Sequence, residues 1–264
     1  MSWNDAIKYA RGVAAKHGVD SAKTEARVDA GLPMGARIGG VISLQKSPFI
    51  RAECDGSLIT VPDDGDTLIR AISRVNLDMS GRLYRYFLHT GDDDDAQEKY
   101  LQVLQDAHGA VAEILYCTQL TRIVPESADD QDAYMGLSGS GLGDKSYTLW
   151  RSQLNDLGLA DGDLDIVFGD SDRIEYRRDA GDPERDFIAP FTGVETRVDD
   201  AAGAHGLEQK LYFMPYVREL GAGREYLLIT TEIVKSRDGD AARRSIHVDF
   251  TIGIPLEAER VLIQ

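Results

Sequence analysis

The hydrophobic and polar positions of the chain follow two rhythms. Near the start, Trp3, Ala6, Ile7, Ala10, Val13 and Ala14 share one face at about 100° per residue, with Lys8, Arg11 and Lys16 opposite. Ser2 precedes this run as a cap and Gly18 follows it as a stop, so the spacing predicts an amphipathic helix over 2–17. From about residue 36 the period shortens to two. RIGGVISL (37–44), FIRAEC (49–54), SLITV (57–61), TLIRAISRVNL (67–77), GRLYRYFLHT (81–90) and AVAEILYCTQLTRIV (110–124) read as strands. Asp55-Gly56 between two of them has the form of a two-residue hairpin turn. In 67–77, Leu68, Arg70, Ile72 and Arg74 fall on one side and Ile69, Ala71, Ser73 and Val75 on the other. KYLQVLQD (99–106) fits strand or helix.

A stretch poor in apolar residues, 126–146, ends in the run GLSGSGLG and reads as a linker. A short helix is expected over Tyr147 to Leu157, closed by Gly158. Beyond it, DLDIVFG (163–169), DRIEYRR (172–178), QKLYFMPYV (209–217), EYLLITTEIV (225–234) and RSIHVDFTIGIPL (244–256) again read as strands. The predicted fold is therefore α+β, mainly antiparallel β. It divides into an N-terminal helix and connector (1–34), a first β-rich half (35–125), an acidic glycine-serine linker (126–146) and a second β-rich half (147–264). The order LYRYFL, YLQVLQ, AEILYCTQL is echoed by LYFMPYV, YLLITTEIV, SIHVDFTIGI. Two copies of one meander would produce this echo; so would any β meander, by chance.

Composition narrows the function. The 264 residues are 42% hydrophobic, enough for a packed core. Asp and Glu total 45 against 29 Lys and Arg, a formal charge of −16. That balance argues against nucleic acid, which demands a basic footprint. No run approaches the roughly 18 apolar residues of a spanning helix. The N-terminus lacks the apolar core of a secretory signal. Two cysteines, Cys54 and Cys117, make no disulfide framework, and a cytoplasmic location is the simplest expectation.

Motif chemistry is sparse. GLSGSGLGDKS (136–146) departs from a phosphate loop because Asp144 stands where glycine must precede the Lys-Ser pair. Asp161, Asp163 and Asp165 have the alternating spacing that opens a calcium loop, but Ile166 replaces its turn glycine and Asp172 its bidentate Glu. They remain weak cation candidates, beside the ordinary turn chemistry of Asp. No two histidines lie four apart. In Arg82, Tyr84, Arg85 and Tyr86 the alternation could stack bases, while pairing with carboxylates across strands is the plainer account. No catalytic residue, cofactor or metal is assigned. Trp3, Ile7, Lys8 and Arg11 on the N-terminal helix are the candidates for a partner surface, with docking on the protein's own body as the alternative.

The stretch GLPMGARIGGVISL (31–44), together with RLYRYFL, YLQV, LYFMPYVRE, REYLLITTE and VDFTIGIPLEAERVLI, resembles the bacterial YjfK-like family, a domain of unknown function. The likeness covers about residues 31–264. It implies a cytosolic protein without agreed enzymatic activity. In that family the genes tend to sit beside those of a membrane-remodelling phage-shock-like protein, small membrane proteins and a glutathionylspermidine-synthase-like ligase. The leading expectation is thus a non-catalytic binding or assembly protein of an envelope-stress system, with a membrane-associated protein partner. The alternative is an enzyme or binding protein for a small cation such as a polyamine, drawn to an acidic cleft by the −16 balance.

Overall fold

The structure, a computed structural model, describes residues 27–62, 66–89, 97–221, 223–234 and 245–264. The expected N-terminal helix lies outside them. Strand β1 (Val41–Leu44) is followed by helix α1 (Ser47–Cys54), then by β2 (Thr67–Leu77), β3 (Arg82–Leu88), β4 (Lys99–Gln105) and β5 (Val111–Ile123). Next come α2 (Ala128–Met135), β6 (Ser146–Trp150), α3 (Arg151–Asp156), α4 (Asp161–Phe168) and β7 (Arg173–Arg178). The chain ends with β8 (Phe191–Val198), β9 (Gly206–Leu220), β10 (Gly223–Val234), β11 (Ser245–Pro255) and β12 (Val261–Ile263).

Eight of these strands close into an antiparallel barrel in the order β2-β3-β4-β5-β11-β10-β9-β8, with β8 returning to β2. This corrects the predicted α+β class. Among the described residues the α-helices are four and short, and the two β-rich halves do not build separate sheets. Each supplies four consecutive barrel strands. The first set meets the second at β5–β11, where Cys117 faces Gly253, and again at β2–β8, where Val75 faces Glu195. Closure removes the edges that an open meander would leave unpaired.

Both faces of the barrel wall are covered, which is why β9, β10 and β11 read as nearly unbroken apolar runs. Inside lie Ala71, Phe87, Tyr100, Leu115, Cys117, Phe213 and Leu228. Outside, Tyr86, Leu101, Tyr116, Met214, Leu227, Ile229 and Ile252 form the larger core with Phe49 of α1, Leu58, Leu142, Leu154 of α3, and Leu164 and Phe168 of α4. One buried carboxylate ties this cover down. Glu225, on the outer face of β10, accepts hydrogen bonds from the Ser57 hydroxyl, from Leu58 N at 2.7 Å, from the Tyr176 hydroxyl at 2.6 Å and from Arg218 Nε at 2.7 Å. Four donors satisfy a group that would otherwise be costly to bury.

Other local expectations change for identifiable reasons. Residues 47–54 are helical rather than a strand, with Pro48 in the first turn, where its fixed φ and missing N–H suit a helix start. Asp55-Gly56 then ends a helix, and Gly56 takes φ +80° with its α-carbon facing the Ile166 carbonyl. Residues 161–168 are also helical: Leu164 and Phe168, four apart, are buried on one face, while Asp161 and Asp163 sit in the first turn, where the helix dipole favours acid. The helix predicted over 147–157 is strand through Trp150 and helix only from Arg151. In β2 a register shift between Ile69 and Ala71 puts Ile69 in the outer core with Ile72, against the strict alternation. Among the described residues no helix is long and apolar enough to cross a membrane.

Candidate functional site

The barrel has two ends of different chemistry. At one end the inward positions of β3, β5, β8, β10 and β11 enclose a cavity of about 300 Å³. Three cations face it: Arg85 of β3, Arg122 of β5 and Arg197 of β8. Four carboxylates answer them: Glu98 beside β4, Glu195 of β8, Glu232 of β10 and Asp249 of β11. The formal sum of these seven groups is one negative charge.

Most of the network is internally paired. Arg85, 4% exposed, donates to Glu195 at 2.9 Å, and Gln209 Nε2 donates to the same carboxylate oxygen at 3.1 Å. Arg122 grips Asp249 through two nitrogens at 2.5 and 2.6 Å, and Gln119 adds a third donor at 3.1 Å. Arg197 donates to Glu98 at 3.1 Å and to Asp199 at 2.9 Å, with its guanidinium 4.2 Å above the Phe87 ring. Forked guanidinium contacts of this kind hold carboxylates in fixed places.

Glu232 is different. Its side chain is 9% exposed, yet among the described residues the nearest cations are Arg122 at 3.6 Å and Arg85 at 3.9 Å, both beyond hydrogen-bond reach. Burial first, then the charges of Asp249 and Glu195, push its carboxyl up to about 8, against the pull of Arg85 and Arg122. Its proton is thus held to higher pH than that of an exposed glutamate. Two further polar atoms are buried here without a partner among the described residues: His247 Nδ1, which faces the cavity opposite Glu232 in register, and the hydroxyl of Ser73, opposite Arg85. Buried polar atoms are normally hydrogen-bonded, so these two stand out among the described residues.

At the other end a cavity of about 250 Å³ is walled by Leu83, Leu104, Leu115, Phe191, Phe213 and Leu228, with Glu113 and Asp179 at its polar margin. The two cavities are separated by a packed waist around Phe87, Tyr100, Cys117 and Phe213. Cys117 there is fully buried, and burial pushes its thiol up to about 12, so it behaves as a small apolar group.

The sequence-derived candidates lie elsewhere. Asp161, Asp163 and Asp165 are exposed on α4, where Asp165 accepts a 2.5 Å bond from Arg151. No group of three or more acidic, histidine or cysteine side chains is placed to hold a metal ion among the described residues. Trp3, Ile7, Lys8 and Arg11 fall outside the described residues. In the Arg-Tyr run, Tyr84 and Tyr86 pack into the outer core while Arg85 turns inward to Glu195. The glycine run 136–143 packs against the outer wall. Gly143 N donates to the Tyr216 hydroxyl at 2.9 Å, and a side chain at Gly141 would collide with the Ala133 carbonyl. The residues missed in the sequence, Glu232 and Asp249 above all, carried one legible signal: a charge embedded in an apolar strand run, EYLLITTEIV or SIHVDFTIGI.

A family model described as a protein of unknown function (DUF2491) matches residues 17–261. No curated protein and no solved structure matches the chain.

Proposed function

The chain belongs to the DUF2491 family, whose function is unknown, and we propose that it is a non-catalytic binding protein that takes a small polycation of the polyamine kind into the charged mouth of its barrel. The observation that carries this reading is Glu232. It is a buried carboxyl without a hydrogen bond from any described residue, in a cavity whose described charged lining sums to one negative charge. A low-dielectric site holds such a charge poorly unless something neutralises it. A proton on Glu232 does so in the empty mouth, and an ammonium group would do so in the filled one. His247 Nδ1 can accept a second N–H from the same ligand. The overall charge of −16 would draw a cation toward the protein at low salt.

Calorimetric titration with spermidine at low salt tests this. Binding should weaken by roughly tenfold or more in Glu232→Gln, because the amide cannot become the anion that a buried ammonium pairs with. Absence of any heat or thermal shift at millimolar spermidine, or equal affinity in the variant, would overturn it.

The resemblance to the bacterial YjfK-like family supports a second reading: a cytoplasmic assembly protein of an envelope-stress system with a membrane-associated partner. Trp3, Ile7, Lys8 and Arg11 would be its contact residues. Crosslinking in cells followed by purification should then recover a membrane-remodelling or ligase partner. Recovery should fall when Trp3 and Ile7 are both changed to Ser. Failure to recover such a partner would count against the assembly role and leave the binding mouth untouched.

A further inference from the structure

We propose that the opposite end of the barrel is a second, independent binding site, and that its ligand is a short aliphatic amine. The cavity there is small, about 250 Å³, and its walls are mainly the inward side chains of Leu83, Leu104, Leu115, Phe213 and Leu228, with the buried Gln102 among them, its Oε1 accepting from Arg85 Nε at 3.4 Å. Apolar walls of this kind gain little from water and much from a hydrocarbon chain, so the body of the ligand is aliphatic.

The end of the ligand is set by the charges at the margin. Glu113, at the start of β5, is half-buried against these apolar side chains. Its hydrogen bond from the Tyr226 hydroxyl is long, 3.4 Å. Asp179, exposed beside it, adds a second negative charge. The cation near them, Arg224, is exposed and lies with its guanidinium 5.6 Å from the centre of the Tyr226 ring. These three charged groups sum to one negative charge. Burial raises the Glu113 carboxyl, with Arg224 and the Tyr226 hydroxyl opposing and Asp179 adding to the rise. A carboxylate ligand would be repelled by Glu113 and Asp179. An alcohol would leave the negative charge uncompensated. A primary ammonium at the end of a short chain fills the apolar volume and pairs with Glu113.

Hexylammonium, hexanol and hexanoate, titrated separately into the full chain and followed by methyl NMR, test the proposal. Hexylammonium should shift the methyls of Leu83, Leu115 and Leu228. Hexanol should bind about tenfold more weakly, and hexanoate should not bind. Glu113→Gln should remove the preference for the amine over the alcohol while leaving hexanol affinity unchanged. Leu104→Trp, at a half-buried wall position, should block both ligands. If that variant fails to fold, the Glu113→Gln comparison decides alone. Glu232→Gln, in the other mouth, should leave the hexylammonium shifts of Leu83, Leu115 and Leu228 unaltered, so loss of the spermidine site does not remove this one. Hexanol binding as tightly as hexylammonium, shifts confined to the Glu232 mouth, or no shift at millimolar amine would each overturn the proposal.

Discussion

Leu83 and Leu211 are buried in the same small cluster inside the barrel, and each is followed by a tyrosine that packs outward. Two positions on from these leucines, β3 presents Arg85 and β9 presents Phe213, and the two side chains face opposite mouths. The next strands repeat the contrast. Tyr100 of β4 and Tyr226 of β10 both point inward, each under a guanidinium of its own mouth, Arg85 at 5.5 Å and Arg224 at 5.6 Å. Two positions further, Gln102 and Leu228 both line the apolar mouth. Two sets of four strands build the wall, and the ends differ because their inward side chains differ. Barrel topology fixes where a side chain points; its chemistry decides what the mouth can hold.

The contrast is most easily broken at its centre. Arg85→Leu gives the charged mouth the character of its counterpart but leaves Glu195 buried with only the Gln209 amide. Removing one partner of a buried ion pair costs about 3–5 kcal/mol, and a urea midpoint should show a loss of that order. The paired change Arg85→Leu with Glu195→Leu should recover most of it, because no charge is then stranded. A single variant losing under about 1 kcal/mol would mean that the network is solvated and the two ends are not distinct environments.

How much of this could be read in the sequence differs between wall and mouth. The strands with alternation or long apolar runs, β2, β3, β5, β9, β10 and β11, were legible because burial imposes a period on the chain. The closure was not. Whether LYRYFL to AEILYCTQL and LYFMPYV to SIHVDFTIGI stand apart or meet edge to edge depends on the pairing of β5 with β11 and β2 with β8, over more than a hundred residues of chain. Short helices failed for another reason. Leu164 and Phe168 have helical spacing, but over eight residues the run DLDIVFG suits a strand as well. The charged mouth was least legible. Arg85, Glu195, Glu232 and Asp249 come from four strands and meet only when the ring closes. The sequence motifs that drew notice, the glycine run and the Asp triplet, reflect close packing and a helix start instead.

Glu232→Gln should change stability little at pH 5, and its pH dependence separates the mouths most sharply. In the unfolded chain Glu232 loses its proton near the ordinary value of 4.5; in the folded protein it keeps the proton up to about 8. Below 4.5 both states are protonated and the contribution to stability is fully present. Between 4.5 and about 8 only the folded state holds the proton, so stability falls as pH rises, by at most about 1.4 kcal/mol per pH unit from this group. Above about 8 both states are ionised and the loss stops. Glutamine imitates the neutral acid and cannot ionise. At pH 5 the variant should lie within about 1 kcal/mol of the parent, and the gap should widen in its favour as pH rises toward 8. Glu113→Gln, in the apolar mouth, should show the same sign with a shallower slope, because Glu113 is half-buried and Arg224 and Tyr226 oppose the rise. Stability measured at pH 5, 6, 7 and 8 for the parent and both variants tests the ranking. Parallel curves for the parent and Glu232→Gln would mean that Arg85 and Arg122 hold Glu232 ionised throughout. The mouth would then offer an ammonium group no proton to replace.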